Sequence, residues 1–307
     1  MKVSVVIPTY NGEKKIRETL EALSAQDHSE YEIIVVNDGS TDQTEKIIKE
    51  LQKEISQLRI VTQENQGPGR ARNRGVEEAK GEIIAFTDDD CVPERKWLRK
   101  ITEMFKEDKK IGIIGGTYLP DQKENTWIDR WQRSNTNIFM ESGLGKKIHF
   151  FETNNMAIRK DIFKEVGGFN LLFGGKEGSE DIDLNYKVLK KGYHLILSPE
   201  ARLKHKHKEN LKGLLKRAHI AGSGDAMFML INPEKKTFRP YQSFITPILA
   251  LRRTMEQRRG IKKREILPFY LLNLLTMTTI QAAKITKSIK LKKPELILYR
   301  VDKNLRE

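Results

Sequence analysis

The sequence predicts an α/β protein: a mostly parallel, doubly wound sheet with helices on both faces, continued by a C-terminal helical segment. Two observations carry this. Short apolar runs rich in Ile and Val recur at Lys2–Pro8, Glu32–Asn37, Leu58–Gln63, Glu82–Asp88 and Ile111–Tyr118, as strands buried on both faces should read. Between them lie segments of helical period, and strand alternating with helix favours parallel βαβ units.

The elements follow in order. Ile16, Leu20 and Leu23 share one face of a first helix, with Asn11 as its cap; Ile47, Ile48 and Leu51 mark a second, opened by Ser40 or Thr41. Pro93 starts another that runs through Trp97, Ile101 and Phe105. The pattern weakens from Lys123 to Phe150. FFETNNMAI then reads as a strand, followed by a short helix through Ile162 and Phe163 that stops at Gly167 and Gly168. The Gly-rich loop FGGKEGSE precedes a helix from Glu180 to Lys191, capped by Ser179 and ended by Gly192, and the strand YHLILS. No linker interrupts this stretch, so residues 1–203 are expected to form one catalytic-type domain, with 204–307 as a basic, mainly helical region.

The chain has 307 residues, enough for a core that buries about three quarters of the extended surface. With 38% hydrophobic and 32% charged residues it is neither a disordered chain nor a polytopic membrane protein. The single cysteine, Cys91, forms no intrachain disulfide, no zinc spacing exists, and the N-terminus reads as a strand rather than a signal peptide; a cytoplasmic location is expected. The net charge of +14 is unevenly placed. Residues 1–203 carry 32 basic and 34 acidic side chains, residues 204–307 carry 24 and 8. The last third therefore calls for an anionic partner such as a membrane surface. It has no nucleic-acid module and few aromatics for stacking, so no nucleic-acid partner is expected.

Ligands of doubly wound sheets bind at the carboxyl ends of the strands, and the polar motifs cluster there: PTYN after the first strand, NDGSTD after the second, TDDDC after the fourth. Asp88, Asp89 and Asp90 place three carboxylates together, which repel unless a cation compensates. If strand geometry continues, Asp88 and Asp90 point the same way and can hold Mg²⁺ or Mn²⁺; the alternative is a solvated acidic turn. Asp38 is either a nucleobase acceptor or an Asx-turn residue. GPGRARNRG meets neither phosphate-loop fingerprint, although Arg70, Arg72 and Arg74 could contact phosphate. Glu180, Asp181 and Asp183 open a helix, where they serve as general base or merely offset the dipole. His205 and His207 share one face of an extended segment, in reach of a metal or phosphate.

Together, VSVVIPTYN, VVNDGSTD, GPGRARNRGVEEAKGEIIAFTDDD, TNNMAIRKDIFKEVGGFN and GSEDIDLNYKVLKKGYHL resemble, in order and spacing, the family 2 glycosyltransferases of GT-A fold, from Lys2 to His207. The resemblance implies an inverting transfer of sugar from a nucleotide sugar, most commonly a UDP-sugar, to a hydroxyl acceptor such as a lipid-linked or cell-envelope glycan. It implies donor contacts from Pro8, Thr9, Tyr10, Asn11, Asp38, Arg72, Asn73, Asp88 and Asp89, and Mg²⁺ or Mn²⁺ on Asp90, Asp88 and His205, which fits better than His207. Asp181 becomes the catalytic base, with Asn154, Asn155 and Glu180 on the acceptor side. A non-catalytic sugar-nucleotide or polysaccharide binder of the same fold would need the pocket but not Asp181.

Ile266–Ala283 carries no charge over 18 positions and has basic flanks. It barely reaches spanning length, and Pro268, Asn273 and Gln281 lower its apolarity. It is read as a helix lying at the inner face of the plasma membrane, with a core or dimer-contact helix as the alternative.

Overall fold

The computed structural model describes residues 1–119, 126–128, 130–131, 134, 150–173, 178–206, 210–232, 236–238, 242–257, 263–291 and 299–301. His207, most of the stretch 123–149 and Gly174–Glu177 of the Gly-rich loop lie outside them, so the expectations placed on these residues have no structural counterpart here.

Two compact units emerge. The first comprises residues 1–121, 147–175 and 180–207; the second comprises 122–146, 176–179 and 208–307.

The first unit is built on β1 (Val3–Thr9), α1 (Ile16–Ser24), β2 (Tyr31–Asp38), α2 (Thr44–Leu51), β3 (Leu58–Gln63), α3 (Pro68–Glu78), β4 (Ile83–Thr87), β5 (Cys91–Pro93), α4 (Trp97–Glu107), β6 (Ile111–Tyr118), β7 (Asn155–Arg159), α5 (Lys160–Glu165), α6 (Glu180–Lys190) and β8 (His194–His205). The strands form one sheet in the order β3-β2-β1-β4-β7-β6-β8-β5. β3, β2, β1 and β4 pair in parallel, as does β6 with β8. β7 runs antiparallel between β4 and β6, and β5 antiparallel to β8.

Side-chain alternation divides the core between the two faces of this sheet. Val3, Val5 and Ile7 pack with Ile16, Leu20, Trp97, Ile101 and Phe105 of α1 and α4. Val6, Ile34, Val36 and Phe86 face the other way, toward Val76 of α3, Ile162 and Phe163 of α5 and Leu184 of α6. α3 lies so close to the sheet that a methyl group on Gly75 would sit 2.3 Å from Val6 Cγ1.

Several local expectations need correction. α1 starts at Ile16 rather than being capped by Asn11, which instead adopts a left-handed backbone (φ 53°). α2 opens at Thr44, whose amide donates to Asp42 Oδ1, so Asp42 does the work expected of Ser40 or Thr41. Pro93 ends β5, and its helix begins at Trp97. The strand foreseen over FFETNNMAI starts only at Asn155, and β8 continues past YHLILS to His205. Ser179, with φ 79°, lacks the extended backbone of an N-cap.

The second unit contains α7 (Leu211–Ile231), β9 (Lys236–Phe238), α8 (Gln242–Gln257), a short 3₁₀ turn (Lys263–Glu265), α9 (Ile266–Lys290) and β10 (Tyr299–Val301), with β9 and β10 pairing antiparallel. Trp131, Leu214, Phe269 and Leu272 form its apolar centre. α7 and α9 approach closely: a methyl on Gly222 would meet the Ile280 carbonyl oxygen at 2.2 Å. Asn273 is buried, accepting from Trp131 Nε1 (3.0 Å) and donating to Thr254 Oγ1 (2.9 Å) and Gln257 Oε1 (2.8 Å), so this polar residue in an apolar helix is satisfied.

Candidate active site

The loops that follow β1 and β2 are stitched together. The Asn11 amide donates to Ser40 Oγ (3.0 Å), its Oδ1 accepts from the Thr41 amide (2.9 Å), and the Gly12 amide donates to Thr44 Oγ1 (2.8 Å). Asn11 pays for its left-handed backbone with these bonds, which set the carboxyl edge of the sheet. Pro8 is partly exposed, and Tyr10, 51% exposed, leaves its ring open at this edge.

Asp38, at the end of β2, is buried and accepts from Gln63 Nε2 (2.7 Å) and from the amides of Gln66 (2.9 Å) and Gly67 (2.8 Å). It holds the entry to α3 through amides distant in sequence rather than through those of its own turn. Asn73 clasps Phe169 through both ends of its amide, donating to the carbonyl (2.9 Å) and accepting from the amide (3.0 Å). These two bonds hold the loop after α5 against α3.

β4 ends at Thr87 and the strand geometry does not continue, so Asp88 turns to Arg72 while Asp89 and Asp90 share Lys15. Asp88 accepts from Arg72 Nη2 (2.9 Å). Asp89 accepts from Thr9 Oγ1 (2.7 Å) and from Lys15 Nζ (3.3 Å). Asp90 lies 3.5 Å from Lys15 Nζ and 3.4 Å from His205 Nε2. Burial pushes the Asp89 carboxyl up, and Asp90 and Asp88 add to this, against the pull of Thr9 and Lys15. Burial acts to lower the Lys15 ammonium, but Asp89 and Asp90 hold it above its usual value.

His205 reaches Asp90 because β8 pairs with β5, which places His205 opposite Cys91, and the Lys206 amide donates to the Asp90 carbonyl (2.9 Å). Ligand atoms of Asp90, Cys91 and His205 lie within 4.8 Å of one another. A carboxylate and an imidazole suit Mn²⁺, and Asp88 stands two residues before Asp90. The Cys91 thiol fits less well: burial first, then Asp88 and Asp90, push it well up, so it keeps its proton.

Arg72 joins this cluster to the helix of the acidic pair. Its buried guanidinium donates to Asp88 Oδ1 at 2.9 Å and to Glu180 Oε1 at 3.0 Å. Burial acts to lower it, but Asp88 and Glu180 hold it above its usual value. Arg74, by contrast, pairs with Glu77 and Glu78 at the surface, and Arg70 is exposed. Asp181, beside Glu180 at the start of α6, accepts from the Ile182 amide (2.9 Å). Its carboxyl is raised to about 8, by burial first and then by Glu180 and Glu152, against the pull of Arg72.

Asn154 accepts from the Tyr118 hydroxyl (2.5 Å), and its carbonyl accepts from Thr87 Oγ1 (3.0 Å). Asn155 is buried, accepts from Trp97 Nε1 (2.8 Å) and donates to the Thr117 carbonyl (2.9 Å).

Sequence reasoning missed Lys15, Tyr118 and Glu152. Lys15 carries a readable signal, since the start of α1 must lie at the carboxyl edge of the sheet. Tyr118 ends the β6 run, but only the pairing of β6 with β8 and β7 brings it to the site.

With this geometry in place, the comparisons with known proteins have a clear object. Residues 4–167, more than half of the chain, match the family described as Glycosyl transferase family 2. The chain belongs to that family. It is 32% identical over 202 residues to glycosyltransferase AglE of Haloferax volcanii, covering 64% of each chain. It is 25% identical over 254 residues to the glucosyl-dolichyl phosphate glucuronosyltransferase of the same organism, covering 76% of this chain and 79% of the relative. The chain spans about half to two thirds of the length of several other relatives in this family. Among solved structures, mannosyltransferase PcManGT from Pyrobaculum calidifontis, in complex with GDP-Man and Mn²⁺, superimposes with a TM-score of 0.65 at 20% identity, over 94% of this chain and 86% of that one. That likeness establishes the GT-A-like fold of this family 2 chain.

Proposed function

We propose that this family 2 chain transfers a sugar from a nucleoside diphosphate sugar to a hydroxyl acceptor by inverting single displacement. One observation carries the reading: Arg72 bridges Asp88 of the donor-side cluster and Glu180 of the pair that contains Asp181, so both halves of a transfer site meet around one guanidinium. Asp90 and His205, with Asp88, would hold Mg²⁺ or Mn²⁺, and the ion supplies charge stabilisation to the departing diphosphate. Tyr10 and Pro8 border the donor base, and Asp38 keeps the neighbouring loop in place.

Asp181 takes the acceptor proton. The acceptor oxygen then bonds to the anomeric carbon as the bond from that carbon to the phosphate oxygen breaks, and the electron pair leaves with the diphosphate. Configuration at the anomeric carbon inverts, and no bond to the enzyme forms. A carboxyl raised to about 8 is matched to proton uptake near neutral pH.

We take the donor as a UDP-sugar, with GDP-sugars as the alternative that the PcManGT complex brings forward. We take the acceptor as a lipid-linked glycan, the class named for the glucuronosyltransferase relative, met at the cytoplasmic face of the membrane. The test is diphosphate release from UDP-, GDP- and dTDP-sugars with a lipid-linked acceptor. One nucleotide class should support release that requires Mn²⁺ or Mg²⁺ and stops with chelator. Tight binding of a sugar nucleotide without release under any acceptor would favour the binder.

A further inference from the structure

The second unit leaves an apolar surface that its own packing does not cover. α9 turns Phe269, Leu272, Thr276 and Ala283 inward, while Leu267, Leu271, Leu275 and Ile289 stand 64, 50, 40 and 61% exposed. Those four fall on one side of the helix, at spacings of four, four and fourteen residues. α8 repeats the arrangement: Thr246, Ala250 and Thr254 are buried, while Ile248 and Leu251 are 66 and 50% exposed. Only 28% of the most apolar stretch within 263–290 is buried. Single exposed apolar residues need no explanation, but stripes on two neighbouring helices do.

Charge selects what covers them. No charged residue occurs from Ile266 to Ala283, while Lys263 and Arg264 at the head of α9 and Lys290 at its foot are exposed. The segment 204–307 carries 24 basic against 8 acidic residues, so a second copy would set two strongly cationic surfaces against each other. By length and composition α9 could span a bilayer, but one side of it is already committed to the protein: Asn273, Lys284 and Ser288 are buried there, and Asn273 is bonded to Trp131, Thr254 and Gln257.

We propose that the outward stripes of α8 and α9 dock on an anionic bilayer surface, with the leucines and isoleucines entering the acyl boundary and the flanking Lys and Arg meeting the headgroups. This stands on the second unit alone and is independent of the catalytic reading.

The experiment is flotation of the full chain with vesicles rich in phosphatidylglycerol and with vesicles of phosphatidylcholine alone, at low and high salt. The chain should float with the anionic vesicles at low salt and be released by high salt. Leu271→Glu with Leu275→Glu should abolish binding; both positions are exposed, so thermal unfolding of that variant should match the parent. Lys263→Gln with Arg264→Gln should weaken binding by roughly twentyfold to thirtyfold, at about fivefold per charge. Equal binding to both lipids that survives high salt and alkaline extraction would mean a spanning helix and overturn the proposal. So would undiminished binding of the double-Glu variant, or a dimer in sedimentation with no vesicle binding.

Discussion

The two units treat buried charge in opposite ways. In the first, Arg72 is buried but bonded to two carboxylates, and its charge is held in place by Asp88 and Glu180. In the second, Lys284 is buried and burial lowers its ammonium against the pull of Asp225, while burial raises Asp225 against the pull of Lys284. Of these two buried cations, Arg72 keeps its charge between bonded carboxylates, while Lys284 is drawn toward its neutral form together with Asp225. The contrast explains why net charge misleads as a guide to chemistry: the almost neutral region holds the densest set of working charges.

The largest expected effect tests the first half of this contrast. Arg72→Met should strip Asp88 and Glu180 of their cation and destabilise the protein by about 3–5 kcal/mol, read by urea unfolding, because it leaves partly buried carboxylates unpaired. A loss below about 1 kcal/mol would mean that solvent already compensates them. Next, His205→Ala should weaken Mn²⁺ binding at least about tenfold in titration calorimetry with little change in thermal stability, since His205 sits at the end of β8. Unchanged Mn²⁺ affinity would take His205 out of the metal site.

The third effect is one of pH. The Asp181 carboxyl is raised to about 8 when folded and lies near 3.9 unfolded, so between those values the folded chain holds the extra proton. Stability therefore falls as pH rises through that window. Asp181→Asn should remove the decline, leaving the variant equal to the parent below about pH 4 and more stable by on the order of 1–3 kcal/mol at pH 8. Parallel stability curves would show that Asp181 ionises as an ordinary carboxylate. The smallest effect falls in the second unit: Asp225→Asn with Lys284→Met should leave stability within about 1 kcal/mol of the parent or raise it. A loss as large as that of Arg72→Met would erase the contrast between the units.

The fold was legible where structure is local. Ile16, Leu20 and Leu23 do face the core, as do Trp97, Ile101 and Phe105, because a helical period is written in neighbouring residues. What local periods do not carry is pairing. That β7 runs antiparallel between β4 and β6, and that β5 pairs with the end of β8, depends on partners distant in sequence. The same limit governs the site. Asp88–Asp90, Asp181 and His205 could be picked out by residue type and position, but their partners could not. Arg72 meets Glu180 across 108 positions, and Lys15 meets Asp89 across 74. Asn73 and Asn155 add bonds that no motif announces: their amides brace the backbone at Phe169 and Thr117, because buried backbone needs its hydrogen bonds satisfied.

The central claim is that Asp181 is the base of a sugar transfer, and it is tested most directly by comparing Asp181→Asn with the parent for both donor binding and turnover. Affinity for the nucleotide sugar in calorimetry should be unchanged, and release of the nucleoside diphosphate should be slowed by at least about a hundredfold. Near-normal release by that variant would contradict it.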